Sequence, residues 1–81
     1  MCLITSKGIS YTVERHCQNR MTDRHVSIFD LQKVLDNGRE LVETTVESPV
    51  IKMIILDNII AVVQQKKKCI YTVIRRETVE V

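Results

Sequence analysis

The chain has 81 residues, 44% of them hydrophobic, with 4% aromatic and no Trp. That length sets one domain over 1–81, with a core of Ile, Val, Leu and Met, and the apolar share excludes intrinsic disorder. Twelve Lys and Arg against ten acids leave +2, too little for bulk charge to announce a nucleic-acid binder, so an anion site must be a local cluster.

Cys2, Cys17 and Cys69 form an odd, widely spaced set. That argues against a disulfide scaffold and against zinc, so reduced thiols and no metal or cofactor are expected. Met1–Lys7 lacks the basic and apolar regions of a signal peptide. The apolar runs Ile54–Leu56 and Ile59–Val63 are split by Asp57-Asn58 and are too short to span a bilayer. A cytoplasmic protein without membrane contact is the expectation.

In chain order, Ser6-Lys7-Gly8 reads as a turn and Ile9–Tyr11 as a short extended lead-in. Thr12 is the expected N-cap of a first helix, with Glu14 in its first turn. Val13, Cys17 and Met21 give that helix an i, i+4, i+8 apolar stripe reaching about Arg24. Ser27 starts a second helix, with Asp30 three residues on and Val26 placed to staple onto Leu31. Ile28, Leu31, Val34 and Leu35 supply its buried face, and Asn37-Gly38 closes it.

After Gly38 the period changes to two. Arg39–Glu47 alternates and stops at Ser48-Pro49, while Val50–Leu56 and Ile59–Gln65 form a hairpin about Asp57-Asn58. Lys66–Lys68 makes the next turn and Cys69–Arg76 a fourth strand. The expected fold class is α+β, with two N-terminal helices on one face of a roughly four-stranded antiparallel sheet. Ile51, Met53 and Ile55 point one way and Val50, Ile54 and Leu56 the other. Two helices cover one side only, so the second face calls for a homodimer, another partner or a groove.

His16, Arg20 and Arg24 also fall at i, i+4, i+8, one stripe beside Val13, Cys17 and Met21. Spacing alone favours a solvated basic edge whose arginines suit the helix C-terminal dipole. The functional alternative is a row of cations bordering the helix–sheet crevice, able to grip phosphate. Tyr71 reads first as a half-buried strand residue and Lys66–Lys68 as a solvated turn. A Cys17–His25 nucleophile is set aside, since Cys17 lies on the apolar stripe.

The run Tyr11-Thr12-Val13-Glu14-Arg15-His16-Cys17-Gln18-Asn19-Arg20-Met21-Thr22-Asp23-Arg24-His25-Val26-Ser27 resembles the opening of a small bacterial and phage family of unknown function. That opening reads Thr-x-x-x-His-Ala-x-x-Arg-Met-x-x-Arg-Gly-Ile-Ser, and the family's last strand reads Ile-x-Thr-Val-x-Arg. Here that strand is Ile70-Tyr71-Thr72-Val73-Ile74-Arg75. Cys17 stands where the family has Ala, and His25 where it has Gly. The family is grouped with RelE/ParE-like and BrnT toxins in the barnase–colicin–RelE class of metal-independent ribonucleases.

The resemblance implies a RelE-like fold, an RNA substrate, and a cognate antitoxin or host protein as partner. It falls on His16, Arg20 and Arg24, and more weakly on Thr72 and Arg75. In such a site His16 moves protons, Arg20, Arg24 and Arg75 stabilise charge, and Tyr71 stacks on a base or donates a proton. Lys66, Lys67, Lys68 and Arg76 would add phosphate contacts. The alternative is a non-catalytic interaction protein of phage or mobile-element type. It would bind a host or defence protein, or itself, through its sheet.

Overall fold

The chain opens with strands, not helices. The computed structural model describes residues 2–43 and 51–76. Strands β1 (Cys2–Ser6) and β2 (Ile9–Val13) form an antiparallel hairpin about Lys7-Gly8. Both turn residues have positive φ, 52° and 79°, the backbone a two-residue hairpin turn requires. Helices α1 (Arg15–Asp23) and α2 (Ile28–Asn37) follow, then β3 (Arg39–Glu43), β4 (Ile51–Leu56), β5 (Ile59–Gln64) and β6 (Cys69–Arg75).

The six strands form one sheet in the order β1-β2-β6-β5-β4-β3. β2 and β6 run parallel through Thr12↔Cys69 and Val13↔Ile70, and every other neighbouring pair is antiparallel. This corrects the expected four-stranded antiparallel sheet headed by two helices, and the RelE-like architecture with it. The sheet is mixed and six-stranded, and a hairpin precedes the helices.

The physical reason lies at Val13, which satisfies two periods. It alternates with Tyr11 as a strand residue and repeats with Cys17 and Met21 as a helical one. The sheet takes it: Thr12 and Val13 pair with β6, and the N-cap falls at Glu14, without a side-chain cap bond. Gln18 Nε2 donates to the Val13 carbonyl at 3.1 Å, which ties the strand end to the helix.

The second helix keeps its expected start. Ser27 Oγ accepts from the Asp30 N–H at 3.1 Å, and the Asp30 carboxylate accepts from the Ser27 N–H at 3.0 Å. These reciprocal bonds satisfy two amides that the helix itself leaves open, and they hold the Asp30 carboxyl below its ordinary range. Leu31, Val34 and Leu35 are buried, whereas Ile28 is exposed. Gly38 ends the helix with a φ of −71°. It is needed there for close approach: a Cβ would meet the Val34 carbonyl and lie 2.6 Å from Ile54 Cγ2. The expected continuation through Glu47, the stop at Ser48-Pro49, and Val50 lie outside the described residues.

Both helices lie on one sheet face. Cys17 and Met21 of α1 and Leu31, Val34 and Leu35 of α2 close on Ile4, Tyr11, Val13, Ile54, Ala61, Val63, Ile70 and Val73. Lys7 of the first turn lies 4.0 Å from Glu40 on β3, at the opposite edge of the sheet, so the sheet wraps around α2. On the outer face, register rows Leu41–Met53–Val62–Thr72 and Ile55–Ile60–Ile74 run across the strands. Leu41 and Ile74 are exposed at 44% and 40%, so the second apolar face expected from β4 is present. No helix is long and apolar enough to cross a membrane among the described residues.

Candidate functional site

Ile70 and Val73 are both fully buried on the helix face, though three positions apart. Strict alternation would send one of them outward. The register resolves this with a β-bulge: Val63 pairs with Ile70 and Val62 with Thr72, which leaves Tyr71 as the extra residue. A bulge bends its strand and re-aims the inserted side chain. The Tyr71 ring stands 5.7 Å from the His16 ring, centroid to centroid, tilted by 37°.

His16 comes from the first turn of α1, the helix that packs along β6. Both rings are open to solvent, Tyr71 at 49%. Arg20, one turn on, is also exposed and shares only a 4.0 Å contact with Asp23. At such an exposed pair the attraction is weak, so the guanidinium is available to an incoming anion.

The other two arginines are committed to the fold. Arg24 is half-buried, and its Nη1 donates to the Val73 carbonyl at 2.9 Å, fastening the end of α1 to β6. Arg75 Nη1 donates to the Arg24 and His25 carbonyls, both at 3.1 Å. It thereby caps the negative end of α1. Thr72 pairs with Val62 on the outer face, away from His16.

Lys66, Lys67 and Lys68 form an exposed turn before β6. The Lys68 carbonyl accepts from the Thr12 N–H at 2.9 Å, which sets this turn beside the β2–α1 junction. Arg76 lies past the other end of β6, its N–H donating to the Asn58 carbonyl at 2.7 Å. The lysines and Arg76 therefore flank opposite ends of the strand. Arg15 was not singled out from the sequence; it lines an open depression with Thr12, Glu14 and Gln18 on the lysine side. Its position in the first helical turn, next to His16, was the available signal.

Burial pushes the Cys17 thiol up to about 11, with smaller contributions from Cys2 and Glu14, so it stays protonated and unreactive near neutral pH. His25 lies apart from His16, in a depression with Lys33, Asp57, Asn58 and Arg75. No three His, Cys, Asp or Glu side chains gather as metal ligands among the described residues.

The structure thus brings His16 and Tyr71 together, with Arg20 one turn away, and assigns Arg24 and Arg75 to backbone carbonyls. Compared with known proteins, the chain matches no family model, no curated protein and no solved structure.

Proposed function

We propose that the α1–β6 surface binds RNA and cleaves it as a metal-independent, toxin-type ribonuclease. The observation that carries this reading is the bulge that turns Tyr71 toward His16 at 5.7 Å, with both rings solvent-accessible. A base from a single strand stacks on Tyr71, and phosphate meets Arg20, with Arg15 and Lys66–Lys68 extending the path.

The chemistry follows from the side chains. His16 takes the proton of a ribose 2′-hydroxyl, and the 2′-oxygen attacks phosphorus. The bond from phosphorus to the 5′-oxygen breaks, and the Tyr71 hydroxyl supplies the proton that the 5′-oxygen needs. The products are a 2′,3′-cyclic phosphate and a free 5′-hydroxyl. Arg20 offsets the charge gathered on phosphorus.

The test is RNA affinity at low salt followed by cleavage of a single-stranded RNA. His16→Gln is expected to lower cleavage by about a hundredfold or more while leaving affinity within about twofold. Arg20→Ala is expected to weaken affinity and reduce its salt dependence by about one counterion. An unmutated protein with no RNA affinity at low salt sinks the proposal. The apolar rows of the outer face support a second reading, a non-catalytic interaction protein. On that reading His16→Gln has no activity to remove.

A further inference from the structure

At the end of β6 away from the lysine turn, a depression of about 240 Å³ opens between α2 and the strand ends. Its floor is a register row: Leu56 pairs with Ile59, and Ile59 with Arg75, across β4, β5 and β6. Leu56 and Ile59 pack on the core, so this row lies on the helix face. Asp30, Lys33 and Val34, three and four positions apart on α2, form the facing wall, as neighbours on one side of a helix do. The α1–α2 corner at His25 and the turn residues Asp57 and Asn58 close the rim.

Two carboxylates reach this depression, and they differ. The Asp30 carboxylate already accepts from the Ser27 N–H in the capping box. Asp57 stands exposed on the hairpin turn, with a φ of 54°. Lys33 is exposed as well. The depression therefore sets an acceptor, Asp57, and a donor, Lys33, at the mouth of an apolar floor. Its volume falls below the roughly 300 Å³ at which pockets take whole small molecules. It suits one planar group of a larger ligand.

We propose that this depression takes a guanine base of the single-stranded RNA held on the α1–β6 surface, an inference that rests on the RNA reading. Guanine alone among the four bases carries two adjacent donors, N1–H and N2–H, beside an acceptor, O6. One carboxylate accepts from both donors at once, which is the part of Asp57. The Lys33 ammonium donates to O6 or N7, and the ring lies over Leu56 and Ile59. Adenine and cytosine set a ring-nitrogen acceptor next to their amino group, and uracil flanks its one donor with two carbonyls. Each of these brings a lone pair against the Asp57 carboxylate. Along α1 and along β6 alike, the depression stands on the order of 13 Å from the His16–Tyr71 pair, within reach of a neighbouring nucleotide.

Amide chemical shifts of the full chain, titrated with each of the four nucleoside 5′-monophosphates, test the pocket apart from RNA binding. Guanosine 5′-monophosphate is expected to shift the Asp57, Asn58 and Ile59 amides, and the other three are not. In RNA, an oligouridine carrying guanines should bind about tenfold tighter than plain oligouridine. Asp57→Asn replaces one acceptor oxygen with a donor, and asparagine tolerates the left-handed backbone of this turn. The variant should lose the guanine preference and keep the unmutated affinity for oligouridine. Equal shifts from all four monophosphates, or none, overturn the inference, as does a preference that survives Asp57→Asn. RNA affinity without a guanine preference also overturns it and leaves the RNA reading standing. Guanosine-specific shifts in a chain with no RNA affinity uphold the guanine pocket and overturn the RNA reading instead.

Discussion

His25 shows most directly how one side chain bears on this structure. It follows α1 with a φ of 56°, the left-handed region, where a side chain costs about 1–2 kcal/mol and glycine almost nothing. Its carbonyl accepts from Arg75, and that bond needs no imidazole. His25→Gly is therefore expected to stabilise the fold by about 0.5–1 kcal/mol after the greater freedom of glycine in the unfolded chain is subtracted. Urea denaturation reads this, and RNA affinity should not change. A destabilised variant would show that the imidazole makes a contact that matters. The same scale explains why two expected site arginines hydrogen-bond backbone carbonyls. Spacing put Arg24 on the stripe with His16 and Arg20, but its acceptor is a carbonyl 49 residues away. No local pattern announces such a partner. Ile28 shows the converse, an apolar residue at a helix start that local periodicity assigned to the core and tertiary packing left exposed.

At the scale of elements, the bulge in β6 decides what the strand presents. Removing Tyr71 by deletion leaves Ile70 inward, Thr72 outward and Val73 inward in strict alternation. The deletion is therefore expected to preserve the sheet and its register and, on the proposed ribonuclease reading, to abolish RNA affinity. Unchanged amide chemical shifts across β4 and β5 would confirm the first part, and a binding titration the second. Retained affinity in the deleted protein would show that Tyr71 is not where RNA sits. The capping box, the Asp57-Asn58 hairpin and the β3-to-β6 meander were legible because each has a local signature. The bulge was not, because one inserted residue breaks the alternation by which a strand is recognised. β1 was missed too: Cys2–Ser6 carries few β-branched residues, and only its pairing with β2 and the cover of α2 make it a strand.

For the molecule as a whole, the buried thiols couple stability to alkaline pH. The folded-state value for Cys17 is about 11, against an ordinary 9.0. A group raised in this way contributes stability that is fully present below pH 9 and lost as pH rises toward 11. The unfolding free energy should fall by roughly 2 kcal/mol over that interval. Cys69 is raised by burial as well, so Cys17→Ala should show a shallower decline, not a flat line. Denaturation midpoints between pH 8 and 11 measure both slopes, and equal slopes for the two proteins would refute the role of Cys17.

The strand order has a further consequence for synthesis. When residues up to Gln65 have left the ribosome, the hairpin β1–β2 and the ladder β3–β4–β5 are both complete, yet they share no edge. Only β6 joins them, and β6 also supplies Tyr71 and the carbonyl that holds Arg24. Because domains settle as their segments emerge, the nascent chain carries two unjoined half-sheets until that strand arrives. The His16–Tyr71 surface therefore cannot exist before then.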